Sequence, residues 1–276
     1  MRTLLICIFF CLVLEQVSAQ PAVNVMSYNI RYNNPGDGVN AWPNRKDWVK
    51  DLVAYHDTDI LCVQEALQEQ VDYLLKDSPF ELEGVGRDDG QTKGEYTAIY
   101  YNKDRFKKQQ SGTFWLSETP EKPSKGWDAH IIRICTWVKL RDQETKKDFF
   151  VFNTHYDHMG VTARERSSML IREKIQQISG ELPVILTGDL NTPPNTPPIS
   201  ALKTFLKDTK EVSKAKPYGP EGTFNGFKFD AELKERIDYV FVNDRVEVLK
   251  FAVLSDSKDR RYPSDHLPVL VKIALK

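Results

Sequence analysis

Several apolar runs in this sequence end in, or begin just after, a residue that can move a proton or hold a cation. Asn29 follows Val25-Met26, Glu65 follows Leu61-Cys62-Val63, and His155 follows Phe150-Val151-Phe152. Asp189 and Asn191 follow Val184-Ile185-Leu186, Asp238 precedes Tyr239-Val240-Phe241, and Asp265-His266 precedes Leu267-Pro268-Val269. Imidazoles titrate near neutral pH and carboxylates are ligands for hard cations. Such groups, gathered at strand ends on a rigid scaffold, are the usual material of an active site. Each position also has a plain structural reading. Glu65 could open the next helix, Asp189-Leu190-Asn191 could be a turn, and Asp238 could pair with Arg236. That six strand ends share one character argues for the functional reading.

The hydrophobic pattern supplies a scaffold of alternating strands and helices, and does so twice. Residues 23–30 read as a strand and 45–55 as a helix with Trp48, Leu52 and Tyr55 on one face. Residues 59–64 form a continuously apolar, buried strand, and 68–76 a helix. Strands follow near 95–101, 112–116 and 131–140. The second half repeats the theme with a strand at 148–154. There the capping box Thr162-x-x-Glu165 opens a helix to residue 178, with Ile171, Ile175 and Ile178 on its apolar face. A buried strand at 183–187, a proline-rich loop at 192–198 and strands at 237–242, 246–254 and 267–273 complete the chain. Two such halves predict two central sheets with helices outside, a layered α/β sandwich.

Six motifs make the reading specific. Met26-Ser27-Tyr28-Asn29-Ile30-Arg31, Gln64-Glu65, Asn153-Thr154-His155, Gly188-Asp189-Leu190-Asn191, Arg236-Ile237-Asp238-Tyr239 and Ser264-Asp265-His266 stand in this order. Together they resemble the signature of the endonuclease/exonuclease/phosphatase superfamily. That group includes pancreatic deoxyribonuclease, exonuclease III, the deadenylases, bacterial sphingomyelinases and inositol polyphosphate 5-phosphatases. The resemblance implies a four-layer αββα sandwich of two central mixed sheets flanked by helices. It also implies a Mg²⁺-dependent phosphoesterase, with Mn²⁺ as an alternative ion, in which an activated water attacks in line. A phosphodiester's own charge repels its nucleophile, so catalysis is mainly positioning and charge neutralisation.

By the same resemblance Glu65 is the main metal ligand, helped by Asn29 and Asp265. Asp238 orients His266, which activates water or steadies the phosphorane-like charge. Asp189 and Asn191 position the water, Asn191 and Asn29 contact the phosphate, and His155 serves the leaving group. A closer likeness to pancreatic deoxyribonuclease adds Glu95 as the acid that orients His155, and Arg133 as a phosphate contact. Asp157 and His158 lie nearby as candidates for the pocket wall, while His56 and His130 read as structural or solvated.

The substrate is less legible. Arg31, Arg87, Arg133 and Trp127 could serve a nucleic acid, but they are scattered and the net charge is -1. Phe114-Trp115-Leu116 reads as a buried strand before it reads as a membrane-docking hairpin. The loop at 222–227 places an aromatic near the rim of the site. A phosphodiester is the first expectation, and a phosphomonoester of a sugar or inositol is the alternative. A catalytically silent binding module of the same fold is the competing class, but the Glu, Asp-x-Asn and Asp-His elements are all present.

Residues 1–19 read as a secretory signal: Arg2, an apolar run from Leu4 to Leu14, then Val17-Ser18-Ala19. Eleven apolar residues are too few to span a bilayer, so no stable membrane insertion is expected. The mature chain would be a single domain, residues 20–276, monomeric and secreted or periplasmic. A bacterial source is inferred from the resemblance and the short signal. Cys62 and Cys135 lie in apolar strands and read as buried free thiols.

Overall fold

Alternating β-branched and aromatic residues build two six-stranded sheets in the computed structural model, which describes residues 21–276. The expected signal segment lies outside the described residues. The first sheet holds β1 (Val23–Asn29), β2 (Ile60–Gln64), β3 (Phe80–Glu83) and β4 (Ile99–Asn102). The second holds β5 (Phe106–Trp115), β6 (Ile134–Asp142), β7 (Asp148–His155), β8 (Val184–Asp189), β9 (Lys207–Asp208) and β10 (Asp238–Val242). The last strands, β11 (Val246–Val253) and β12 (Val269–Leu275), return to the first sheet, which runs β11-β12-β1-β2-β4-β3. The second sheet runs β5-β6-β7-β8-β10-β9. Each sheet is mixed, with one parallel pair, β1 with β2 and β7 with β8.

Three apolar layers account for the stacking. Val25, Cys62, Val151, Ile185, Val240 and Val271 belong to the layer between the sheets. Helices α1 (Lys46–Tyr55) and α2 (Gln68–Leu75) cover the outer face of the first sheet through Val49, Leu52, Val71 and Leu74. Helices α3 (Val161–Ser179) and α4 (Pro197–Lys203) cover the second through Ile171, Ile175, Ile199 and Leu202. A short α5 (Thr209–Val212) precedes β10. The result is the expected αββα sandwich. β2 and β8 are buried along their whole length, which explains the apolar runs Ile60–Val63 and Val184–Leu186 that open them.

One polar patch interrupts the central layer, directly beneath the strand ends. Asn153 donates to the carbonyls of Val63 and Ala98 at 2.8 and 3.0 Å, crossing from the second sheet to the first. Its own oxygen accepts from Gln64 at 2.7 Å and Thr187 at 3.1 Å. Because Gln64 precedes Glu65, and Asn153 and Thr187 lie two residues before His155 and Asp189, this network fixes the two sheets to each other where the candidate residues emerge.

Local details differ from the sequence reading. α1 buries Val49, Leu52 and Val53, whereas Tyr55 is 81% exposed and Trp48 only half-buried, so the apolar face is rotated from the one expected. α3 begins at Val161, so Thr162 is not its cap. Asp128, distant in sequence, accepts instead from the amides of Thr162 and Ala163 at 3.1 and 2.6 Å. β5 begins at Phe106, because Lys107 to Ser111 form an exposed sheet edge with no apolar pattern to read. The proline-rich loop turns helical at Pro197, a residue favoured at the first helical position. β4 is confined to Ile99–Asn102, and β3 and β9 had no sequence signal. Cys62 and Cys135 are free and buried, and burial raises both thiol pKa values, that of Cys62 to about 12. Among the described residues no helix is long and apolar enough to cross a membrane.

Candidate active site

Strand register brings the candidates together. Parallel pairing sets His155 opposite Asp189, and antiparallel pairing sets Asp238 opposite Asp189, so Asp189 is flanked on both sides. In the other sheet Asn29 pairs with Gln64, next to Glu65. Gly188 permits the close approach of β8 to β7: a Cβ there would lie 2.3 Å from the carbonyl oxygen of Thr154. Arg31, Glu65 and Asn191 take φ of 55°, 65° and 46°, in the left-handed region that side chains rarely adopt. Strain of this kind persists where surrounding structure enforces it, as at functional sites. Arg45 supplies part of that enforcement. Its buried guanidinium donates to the carbonyls of Ile30, Arg31, Asn40 and Pro263, tying the end of β1 to the segment that carries Asp265 and His266.

These strand ends surround a cleft of about 700 Å³ whose lining includes Arg31, Tyr32, Glu65, Glu95, Arg133, His155, Asp189, Asn191, Asp265 and His266. A separate cavity of 390 Å³ beside α1 and the end of α2 is lined by none of them. The plain readings of the acids do not describe this arrangement. Arg236 pairs with Asp208, not with Asp238, and Glu65 faces the cleft.

His266 Nδ1 lies 2.9 Å from Asp238 Oδ2, and both residues are buried. Burial alone would lower the imidazole's pKa, but Asp238 and Asp189 reverse this and hold it well above the ordinary histidine value. His155 is the opposite case. Burial first, then the positive charges of Arg133 and Arg87, hold it well below that value. Its Nδ1 stands 3.9 Å from Glu95 Oε2, which accepts from Arg87 Nη1 at 2.6 Å. Glu95 is thus near His155 without a hydrogen bond to it. Arg87, missing from the sequence-based site, is the residue that holds this acid.

Asp189 Oδ2 lies 3.5 Å from His155 Nε2 and 3.8 Å from His266 Nε2. Burial and the facing Asp238 push Asp189 up to about 7. Asn29 Nδ2 donates to Asp189 at 2.9 Å and Glu65 at 3.1 Å, while its oxygen accepts from the Arg31 amide at 3.0 Å. Asn29 therefore meets the cluster as a donor bridging two acids, with its oxygen already engaged. Glu65 also accepts from the Tyr32 amide at 3.2 Å. Arg31 lies 3.8 Å from both Glu65 and Asp265 and is held by Asp37 at 3.0 and 3.1 Å.

Arg133 stands just before β6 and is buried. Its Nε and Nη1 have no hydrogen-bond partner, though each lies 3.9 Å from a carboxylate, of Asp157 and Glu95, and its Nη2 is 3.4 Å from His158 Nδ1. Asp157 caps the adjoining loop, accepting from the amides of His130, Ile131, Met159 and Gly160. Phe224 stands edge-on to His266, ring centres 5.1 Å apart, confirming that the 222–227 loop reaches the rim. His56 pairs with Asp256, outside the cleft lining. Two sets of ligand atoms lie within 4.8 Å of one another: those of Glu65, His155 and Asp189, and those of Asp189, Asp238 and His266. Carboxylates and imidazoles at ligand spacing, rich in hard oxygen donors, fit a divalent cation.

Comparison with known proteins agrees with this geometry. A Bacteroides thetaiotaomicron structure described as an endonuclease/exonuclease/phosphatase family protein is 38% identical, with a TM-score of 0.89, covering 94% of this chain and 99% of that one. A mannosyl-6-phosphatase of the same organism is 39% identical, with a TM-score of 0.87, covering 92% and 100%. The human Nocturnin catalytic domain, at 20% identity and TM-score 0.73 over 93% and 94% of the chains, shares the fold. The chain spans 59%, 37% and 46% of the lengths of the curated relatives it matches, two Acanthamoeba polyphaga mimivirus proteins and Drosophila melanogaster Nocturnin. Residues 26–266 match the Endonuclease/Exonuclease/phosphatase family, and the chain belongs to it.

Proposed function

We propose that this chain is an exported, Mg²⁺-dependent phosphatase that hydrolyses a phosphate monoester of a sugar by in-line attack of water. The observation that carries the phosphoester chemistry is the meeting, in one cleft, of Arg133, His266 and a set of carboxylates at ligand spacing. Glu65 would anchor the ion, with Asp189 or Asp265 as the second carboxylate. When bound, Mg²⁺ neutralises phosphate charge and favours deprotonation of the attacking water.

The chain's own residues supply the rest. Asp238 fixes the His266 ring, and the charge it sustains there steadies negative charge growing on the phosphoryl oxygens. Asp189, whose Oδ2 lies between the two imidazoles, is suited to orient the water. The Asn191 amide holds Asp189 Oδ1 at 2.9 Å. Arg133 offers its guanidinium to the phosphate. His155, 3.0 Å from Asn191 Nδ2, serves the leaving-group side.

Two features support a sugar monoester over the diester first expected. The mannosyl-6-phosphatase resembles this chain along essentially its whole length. The cleft rim presents Tyr32, Phe224 and the exposed Glu235, and Glu235 is tied to the Phe224 loop by backbone bonds. A rim carboxylate repels a further phosphate and bonds hydroxyls, while the face of an aromatic ring suits a sugar's C–H groups. The test is a panel of mannose 6-phosphate, glucose 6-phosphate, bis-p-nitrophenyl phosphate, DNA, RNA and sphingomyelin. A hexose phosphate should be turned over at least ~100-fold faster than any diester, about 3 kcal/mol of transition-state discrimination. A diester in first place would restore the phosphodiesterase reading. Chelation should abolish turnover, and Glu65→Gln should weaken Mg²⁺ binding at least ~10-fold by calorimetry. Full activity in excess chelator would sink the metal-dependent mechanism.

A further inference from the structure

The gap between His155 and Glu95 has a definite shape. It borders a small cavity of about 10 Å³ whose lining includes Arg87, Glu95, Thr97, Arg133 and His155. That is about the space one water centre occupies. Two buried polar atoms of these residues, His155 Nδ1 and Arg133 Nη1, have no hydrogen-bond partner, and neither does Arg87 Nε, which lies 3.7 Å from Asp88 Oδ1. Buried groups of this kind are normally satisfied, and leaving them unpaired is costly. Glu95 Oε2 is 3.9 Å from His155 Nδ1 and 3.9 Å from Arg133 Nη1. Two hydrogen bonds of roughly 2.8 Å meeting at about a right angle close such a span.

Proton positions decide what the bridge must be. Asn191 Nδ2 lies 3.0 Å from the Tyr156 carbonyl oxygen, which identifies that end of the amide as the donor. The same nitrogen lies 3.0 Å from His155 Nε2, so Nε2 accepts and the neutral ring carries its proton on Nδ1. The cavity therefore faces N–H donors from His155 and Arg133 and one carboxylate acceptor. A water accepts from both donors and donates to Glu95. A chloride could accept the same N–H groups but would meet the Glu95 charge.

We propose that a bound structural water bridges His155 Nδ1, Arg133 Nη1 and Glu95 Oε2, making Glu95 a positioning residue that acts on His155 through that water. The bridge fixes the tautomer and the orientation of the ring, with Nδ1–H toward the water and Nε2 toward Asn191. Its role in turnover rests on the phosphoesterase reading above; its existence does not.

The first test is a crystal structure of the full chain with Mg²⁺, at a resolution that shows ordered water. A single uncharged peak within roughly 2.6–3.2 Å of the three atoms is expected. An anion there, an empty cavity, or direct contact between Glu95 and His155 would overturn the proposal. The second test compares Glu95→Gln, whose amide oxygen can still accept from the water, with Glu95→Leu, which removes the acceptor. Glu95→Gln should lose less than ~10-fold in kcat and keep the Nδ1–H tautomer by ¹⁵N NMR. Glu95→Leu should lose ~10- to 100-fold and mix the tautomers. Equal losses and equal tautomer populations in the two variants would contradict a water-mediated acceptor. The crystallographic and NMR arms need no turnover, so an inactive wild type would sink the proposed function alone.

Discussion

Two histidines flank the same carboxylate oxygen of Asp189, and their environments are opposite. His266 has Asp238 at 2.9 Å, whereas His155 has Glu95 at 3.9 Å, and that acid is hydrogen-bonded by Arg87 instead. The first imidazole is held toward its charged form and the second toward its neutral form. A nearby carboxylate therefore does not by itself define an orienting pair. What matters is whether a stronger cation has already claimed it. An Arg–carboxylate contact is charge-assisted and persistent, and it leaves Glu95 little capacity to stabilise an imidazolium.

The tight pair should give the largest effects. His266→Ala and Asp238→Asn should each lower kcat by ~10²- to 10⁴-fold with little change in KM, as expected when a general acid–base or charge-stabilising group is lost. The double variant should be little worse than His266→Ala, since an orienting acid matters only while its imidazole is present. Strictly additive losses in rate free energy would show that Asp238 acts independently of His266.

A smaller effect comes from the carboxylate between the two rings. Asp189 faces Asp238 across β8 and β10, and like charges directly opposite in a sheet repel. Its folded pKa of about 7 lies above the ordinary value of 3.8. A raised value favours the fold below about pH 4, and that contribution is lost as pH rises through about 7. The penalty for the ion is on the order of 4 kcal/mol when no cation offsets it. In chelator, the melting temperature should therefore drop by several degrees more between pH 5 and 8 in the wild type than in Asp189→Asn. Mg²⁺ at pH 8 should recover much of the loss. Identical pH slopes for the two proteins would show that Asp189 carries no such penalty.

The contrast between the pairs also separates what the sequence shows from what only folding settles. Asp238 and His266 were readable because each adjoins a strand core, where periodicity marks the face and the strand end. Glu95 was readable as a candidate, but its capture by Arg87 was not, because both lie in a stretch of turns and irregular chain with no period to fix side-chain direction. The same limit explains the helix α3 cap. Thr162 satisfied a local motif, but the first turn is capped instead by Asp128, which accepts from the amides of Thr162 and Ala163 from a loop more than thirty residues away in sequence. Asn29, expected as a metal ligand, lies in the cluster, but which end of its amide faces the acids depends on the Arg31 backbone turning left-handed. The layers were legible because β2 and β8 open with unbroken apolar runs, Ile60–Val63 and Val184–Leu186. The exposed edge of β5, written in lysines and glutamines, carried no such mark.

Arg87→Met should convert the loose pair toward the tight one, and its effect on rate should be the smallest. Arg87 acts on His155 in two ways: its own charge lowers the imidazole's proton affinity, and its bond to Glu95 keeps the acid from closing on the ring. Methionine fills comparable space with no charge and leaves intact the backbone carbonyl of residue 87 that Trp115 Nε1 bonds at 2.7 Å. Both changes favour the imidazolium, so the sign is fixed: the His155 titration, followed by NMR, should move upward by about one unit or more. At pH 8 the ring would remain largely neutral, and kcat should change less than ~5-fold. Near pH 6 a larger fraction of His155 would be protonated than in the wild type, so the acidic limb of the pH–rate profile should shift upward. An unchanged His155 titration would mean that burial alone keeps this ring neutral, and that the difference between the two pairs owes nothing to Arg87.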